Sequence, residues 1–369
     1  MDLPPLLRRA IDDALNATAL SDLAETATAL SQRYRDERHD AKPHAISDRD
    51  ALAYLAVRMP ATYAAVRACF KAVADVRPDF APQTALDIGA GPGTALWAAS
   101  GCWPGISDAV LVEASPVFRA YGERLAAKAE LPRITWRVAD VAAETIDCGP
   151  RDLVSLAYVL NELVPAARQS VLRKLWELTA DMLVVVEPGT PAGWQRILAA
   201  RSQLIEAGAH VIAPCPHAHT CPLAPPDWCH FAQRVARSRA HRQTKRADVP
   251  WEDEKFIYVA VSRHPAARTG ARVVARPRKA GGHTTLKLCR PDGSASDQVV
   301  SRRERRAVQA RAECRLGLFV LASRYRIFAK SPCRPRPSLK REAPATPSLI
   351  RASRPLYHSW ISASRTVSP

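Results

Sequence analysis

From residue 84 onward, short apolar runs alternate with longer stretches of helical periodicity. The runs are TALDIG (84–89), DAVLVEAS (108–115), ITWRVAD (134–140), DLVSLAYV (152–159) and MLVVVEP (182–188). Each has strand length and is apolar almost throughout, as a strand buried on both faces should be. Five such strands separated by helical stretches predict a parallel sheet covered on both sides and joined by right-handed crossovers. Two later runs, KFIYVAVSR (255–263) and TTLKLC (284–289), have no clear helix between them. They are expected to pair antiparallel and close the sheet edge.

Ahead of the sheet, residues 1–80 read as helical. Leu20, Leu23, Ala27 and Leu30 recur at helical spacing, then Leu52, Leu55, Val57 and Met59 with slippage, and Pro60 interrupts before Ala61–Val76 resumes. The expected organisation is an N-terminal helical region (1–80), a nucleotide-binding core (81–210), a cysteine-bearing insertion with closing strands (211–313) and a tail (314–369). In the tail the texture turns to Arg, Pro and Ser, and CRPRPSLKREAPATPS (333–348) has the composition of a segment that does not fold alone.

The first strand ends in Asp87-Ile-Gly-Ala-Gly-Pro-Gly-Thr94. Gly89, Gly91 and Gly93 permit a tight turn and close approach of a ligand, and a helix beginning near Thr94 offers free N–H groups. Asp87 is placed to accept from a ligand ammonium. Glu113 ends the second strand, where a carboxylate accepts ribose hydroxyls, and Asp140 ends the third, where an acid meets an adenine amino group. Three strand-end carboxylates around one glycine loop point to S-adenosylmethionine. An NAD site would prefer G-x-G-x-x-G, which this loop does not match. The expected class is therefore α/β, a Rossmann-like class I S-adenosylmethionine-dependent methyltransferase fold. For catalysis the candidates are Asn161 and Glu162 after the fourth strand, which contact substrate or cofactor or else cap the next helix. The run there is Tyr158-Val-Leu-Asn161, not an Asn-Pro-Pro-Tyr tetrad, and no cysteine ends the fourth or fifth strand to attack cytosine C5.

Charge changes the picture of partners. Residues 1–210 hold 22 Lys and Arg against 26 Asp and Glu, residues 211–300 hold 15 against 7, and residues 301–369 hold 16 against 3. A near-neutral core followed by a basic second half suits contact with a polyanion, RNA before any other. The run Arg234, Arg237, Arg239, His241, Arg242, Lys245 and Arg246 is either a phosphate-binding helix or a solvated face. DNA and membrane partners are not expected: no apolar run reaches the roughly 18 residues that a span needs, and Asp2, Asp12 and Asp13 sit where a presequence avoids acids. A cytoplasmic protein is the expectation.

Of nine cysteines, Cys215, Cys221 and Cys229 crowd one proline-rich loop, APCPHAHTCPLAPPDWCHF (213–231). Cys289 ends the last apolar run and returns to that loop if the two late strands pair. Four thiolates suit zinc or an iron–sulfur cluster. The wide Cys-x5-Cys-x7-Cys spacing lacks zinc knuckles and leans toward [4Fe–4S], with His217, His219 or His230 able to replace one thiolate. Cys69, Cys102, Cys148, Cys314 and Cys333 have no partners at useful spacing.

Taken together, RMPATYAAV (58–66), DIGAGPGT, CPHAHTCPLAPPDWCHFAQRVARS, WEDEKFIYVAVSR and LKLCRPDG resemble the methyltransferase-like assembly factors of the mitochondrial small ribosomal subunit and their bacterial counterparts. The likeness covers roughly residues 45 to 313. It implies a [4Fe–4S] cluster on Cys215, Cys221, Cys229 and Cys289, bound S-adenosylmethionine, and contact with the small subunit and its rRNA. It leaves open whether the chain is an rRNA methyltransferase or a catalytically silent assembly factor. A small-molecule methyltransferase with structural zinc is the remaining alternative. The family's Glu-Trp-Gly-Asp-like ending is absent after ARAE (310–313), where CRLG follows. The tail after Glu313 is expected to be out of frame or specific to this lineage, and a clean frame in the source DNA together with a protease-resistant tail would refute that.

Overall fold

The computed structural model describes residues 1–16, 18–36, 47–127, 129–144, 146–245, 247–267, 270–301 and 319–320. Four helices come first: α1 (Pro5–Leu15), α2 (Leu23–Asp36), α3 (Asp48–Val57) and α4 (Met59–Val76). Ser47 and Asp50 cap α3 reciprocally, the Ser47 hydroxyl accepting from the Asp50 N–H at 3.2 Å and the Asp50 carboxylate from the Ser47 N–H at 3.0 Å. Pro60 starts α4 rather than breaking it, because a proline in the first turn gives up only an N–H that has no helical partner there.

The main sheet has eight strands: β1 (Thr84–Ile88), β2 (Asp108–Val112), β3 (Arg133–Arg137), β4 (Arg151–Ala157), β5 (Thr179–Pro188), β6 (His210–Ala213), β7 (Phe231–Ala236) and β8 (Trp251–Ser262). Their order is β3-β2-β1-β4-β5-β8-β6, with β7 also paired to β8. Strands β1 to β5 run parallel, and β8 enters antiparallel between β5 and β6. That order with one reversed strand beside the last is the class I S-adenosylmethionine-dependent methyltransferase fold, as the sequence led us to expect.

Helices cover both faces. Helix α5 (Thr94–Cys102) packs against α4, which also lies over β5, β6, β7 and β8, while α7 (Pro165–Glu177) and α8 (Pro191–Glu206) pack on each other and on β5. Between α5 and α7 in the chain, α6 (Pro116–Ala126) connects β2 to β3. The central strands are buried throughout, with Leu86, Ile88, Leu111, Leu153, Leu156 and Val184 each at most 1% exposed. Among the described residues no helix is long and apolar enough to cross a membrane.

The late pairing differs from expectation. The 255–263 run does become part of β8, but 284–289 does not join it. It forms β11 (His283–Cys289) in a second sheet with β9 (Ala271–Val273), β10 (Arg278–Lys279), β12 (Ala295–Ser301) and β13 (Phe319–Val320). Periodicity marks both runs as strands without saying which neighbour each takes, and β11 finds a full antiparallel partner in β12, from His283↔Ser301 to Cys289↔Ala295. Apart from Phe319 and Val320, the tail from residue 314 lies outside the described residues.

Residues of one face recur at every second position of a strand, and along the first half of β8 this places Glu252 and Glu254 inward and Asp253 outward. Glu254 accepts from both terminal nitrogens of Arg58, at the α3–α4 junction, at 3.1 and 3.4 Å, and from the Tyr158 hydroxyl at 3.1 Å. Both ion-pair side chains are only 13% exposed. Arg58→Ala leaves a buried carboxylate without its cation, and chemical denaturation should show a loss of about 3 kcal/mol.

Candidate functional site

The chain winds from β1 toward β3 on one side of the sheet and from β4 toward β6 on the other, so the switch point lies between the carboxyl ends of β1 and β4, where such sheets bind ligands. Both predicted loops are there. Gly89, Gly91 and Gly93 have φ of +63°, +55° and +82°, the left-handed region that a side chain disfavours. At Gly89 a Cβ would also meet the Val159 side chain at 2.4 Å. Gly93 caps α5, which begins at Thr94 as predicted.

Asp87 is buried at the end of β1. Its Oδ1 accepts from the Ser155 hydroxyl at 2.7 Å, across the β1–β4 pairing, while Oδ2 has no partner. Burial pushes this carboxyl up to about 7, with Glu113 adding to the rise and Ser155 opposing it. A buried carboxylate oxygen left unpaired is costly unless a ligand completes it.

Glu113 does more than await a hydroxyl. Its two oxygens accept from the Gly91 N–H and the Ser115 N–H, each at 2.8 Å, so it pins the glycine loop to β2. Asp140 lies three residues past β3, exposed, with Oδ1 accepting from the Ala142 N–H at 2.8 Å. Asn161 is 3% exposed with its Oδ1 unpaired, and Glu162 is half-buried. Neither caps the next helix, since the residue before α7 is Val164.

Sequence reasoning missed Glu187 at the end of β5. It is fully buried and takes the Arg196 Nε at 2.5 Å and the Asn161 N–H, while its Oε1 is unpaired. Burial raises it to about 7 against the opposing pull of Arg196. The signal was present, since VVVEP ends in an acid as the first two strands do. Tyr158 was also missed: it is the one non-glycine residue among those described with positive φ, +62°, and it sits directly after β4.

The four cysteines named from sequence line one cavity. Cys215 and Cys221 are half-buried, Cys229 and Cys289 buried, and all four are free thiols. The route differs from expectation, since Cys289 arrives on the second sheet and not as a neighbour of β8. Burial pushes the Cys289 thiol up to about 12, with the Cys215 thiol adding to the rise, and burial also raises Cys221 and Cys229. The His217 ring is buried with Nε2 3.2 Å from the Cys289 sulfur, whereas His219 is exposed and His230 stacks on Trp228. Among the described residues no three His, Cys, Asp or Glu side chains are grouped as they would be around a single ion.

The basic run after the loop is partly neutralised within the fold. Arg234 pairs with Asp253 at 2.9 Å, and Arg237 and Lys245 converge on Glu252 at 3.1 and 2.9 Å. His241 is fully buried 3.4 Å from Glu252, on α9 (Arg239–Lys245), which packs against α2 and α3. Arg239 and Arg242 stay exposed, and Arg246 lies outside the described residues.

Comparison with known proteins adds the following. The pattern of the family described as mitochondrial small ribosomal subunit Rsm22 matches residues 48–317. The human mitochondrial ribosome assembly protein METTL17 is 29% identical over 279 residues, covering 69% of this chain and 58% of that protein. The mitochondrial Rsm22-cox11 tandem protein 2 of Schizosaccharomyces pombe is 24% identical over 331 residues, covering 76% and 43%. The chain thus spans about half the length of these relatives. Among solved structures, magnesium protoporphyrin IX methyltransferase from Synechocystis PCC 6803 has a TM-score of 0.38 at 11% identity, covering 65% of this chain and 100% of that one. The N-methyltransferase NodS from Bradyrhizobium japonicum has 0.37 at 12%, covering 64% and 97%.

Asp87 titrates higher folded than unfolded, so between the ordinary carboxylate range and about 7 the folded state holds the extra proton and stability falls as pH rises. Asp87→Asn should therefore raise the thermal midpoint of the ligand-free protein at pH 8, flatten its pH dependence across that window, and weaken binding of a cationic ligand measured by calorimetry.

Proposed function

Because the chain belongs to the mitochondrial small ribosomal subunit Rsm22 family, we propose that it binds S-adenosylmethionine and acts on the small ribosomal subunit and its rRNA, with a [4Fe–4S] cluster on Cys215, Cys221, Cys229 and Cys289. The observation that carries the nucleotide reading is the unpaired Asp87 oxygen beneath three left-handed glycines at the switch point. Asp87 takes the ligand ammonium, and Glu113 and Asp140, at the ends of the next two strands, face the ribose and adenine.

For the inorganic centre, the donor set is four free thiols around one otherwise largely apolar cavity. A single tetrahedral zinc needs thiolates about 3.8 Å apart, given zinc–sulfur bonds of about 2.3 Å. What leans the reading toward a four-iron core is the Cys-x5-Cys-x7-Cys spacing, which lacks the tight knuckles of structural zinc. When bound, the core supplies an oxidant-sensitive link between the loop at 215–229 and the second sheet. RNA contact falls to exposed cations that carry no ion pair among the described residues, Arg239 and Arg242 on α9 and Arg276 and Lys279 by the second sheet.

A catalytically silent assembly factor is the second reading, favoured by the burial of Asn161 and Tyr158 where an acceptor base would enter. Incubation of the full chain with methyl-labelled cofactor and immature small subunits separates the readings. Label in RNA supports the enzyme, and co-sedimentation without label supports the assembly factor. A colourless zinc protein that ignores the particles would instead favour small-molecule methylation.

Gly91→Arg places a long side chain at a left-handed position in the glycine loop, where a Cβ would lie 3.9 Å from the Tyr54 hydroxyl. Calorimetric titration should show loss of S-adenosylmethionine binding, with a melting temperature lowered by the strain of a side chain at this left-handed position, whereas Gly91→Ala, equally strained but short, should keep measurable binding. Anaerobically purified wild type should be brown with iron and sulfide near four each per chain, and replacing Cys229 with Ser should bleach it.

A further inference from the structure

Two arginines border the cysteine cavity, and both are almost fully buried, Arg201 at 5% and Arg272 at 4% exposure. Neither forms an ion pair with a carboxylate among the described residues, and no Asp or Glu lines the cavity. Arg201, on α8, donates from Nη2 to the His217 and His219 carbonyls at 2.7 and 2.9 Å, which fixes the backbone of the cysteine loop. Its Nε is unpaired. Arg272 lies on β9 directly across from Cys289 in the β9–β11 register, so the two side chains share a face of the sheet with Cβ atoms about 5 Å apart. Its guanidinium stacks 3.9 Å from the Phe231 ring and reaches the Cys229 sulfur, and its Nε too has no hydrogen-bond partner.

Burying one guanidinium without a counter-charge costs several kcal/mol, and two in one apolar neighbourhood cost more. Arginine does not escape by losing its proton. No carboxylate among the described residues supplies that charge, which leaves what fills the cavity. Four neutral thiols provide none, whereas four thiolates around a [4Fe–4S]2+ core leave a net charge of −2, which equals the two buried cations in magnitude. We propose that Arg272, assisted by Arg201, is the built-in counter-charge of the inorganic centre, and that Arg272 raises its reduction potential. One electron from an external reductant takes the core from 2+ to 1+ and the site from −2 to −3, a change that an adjacent cation favours.

This rests on the cluster reading, and the test separates the two. Wild type, Arg272→Lys and Arg272→Met are purified anaerobically as full chains, assayed for iron, sulfide and zinc, and titrated with dithionite at an electrode. The expected result is a midpoint in Arg272→Met more negative by about 59 mV, equal to about a tenfold lower reduced-to-oxidised ratio at fixed potential. Arg272→Lys should stay close to wild type, because it keeps the charge and loses the stacking. Equal midpoints in wild type and Arg272→Met, with clusters present in both, overturn the inference and leave the cluster reading standing. Wild type without iron, sulfide or zinc overturns both. Zinc in place of iron removes the cluster but not the charge argument, since zinc with four thiolates also carries −2. In that case at least tenfold faster zinc loss to a chelator from Arg272→Met than from Arg272→Lys supports the role, and equal rates overturn it.

Discussion

The pleat of β8 is the constraint on which the rest depends. Because side chains alternate faces, Glu252, Glu254, Phe256 and Tyr258 share one side of that strand. Glu252 gathers Arg237, His241 and Lys245 and so seats α9; burial alone would raise its carboxyl, and His241 and Lys245 instead hold it well below the ordinary range. Glu254 draws in Arg58 and Tyr158, Phe256 stacks on Phe231 at 5.4 Å, and Tyr258 walls the cysteine cavity. A slip of one residue would turn all four away from their partners.

Those contacts show why some of the molecule was legible in the sequence and some was not. The five parallel strands, the glycine loop and the strand-end acids Asp87 and Glu113 are local features, and runs of apolar residues with chemistry at their ends reveal them. Partner choice is not local. Arg58 and Glu254 meet across 196 positions, and nothing in either neighbourhood announces the other. The same blindness placed 284–289 beside β8 when it belongs to a separate sheet. Cys289 still reached the other three thiols, because the second sheet folds back over the loop.

Charge was the other limit. Arginines are expected at the surface, so composition alone counted Arg201, Arg237 and Arg272 with the solvated basic residues. Folding removes them from that count: Arg237 serves Glu252, and Arg201 and Arg272 face sulfur. Among the described residues after 210, the Lys and Arg count therefore overstates the cationic surface, and exposed cations without an ion pair gather around α9 and β10.

The two compartments of the fold hang on one short piece of backbone. Glu254 touches the switch point through Tyr158, and four residues later Tyr258 borders the sulfurs, a separation of about 13 Å along an extended strand. Strand β8 is hydrogen-bonded to β7 up to Phe256 and to β5 from Phe256 onward, so the interval is paired throughout. If both proposed sites were filled, coupling between them would travel as a change of field through low-dielectric protein, where counter-ions cannot intervene, and not as relative motion.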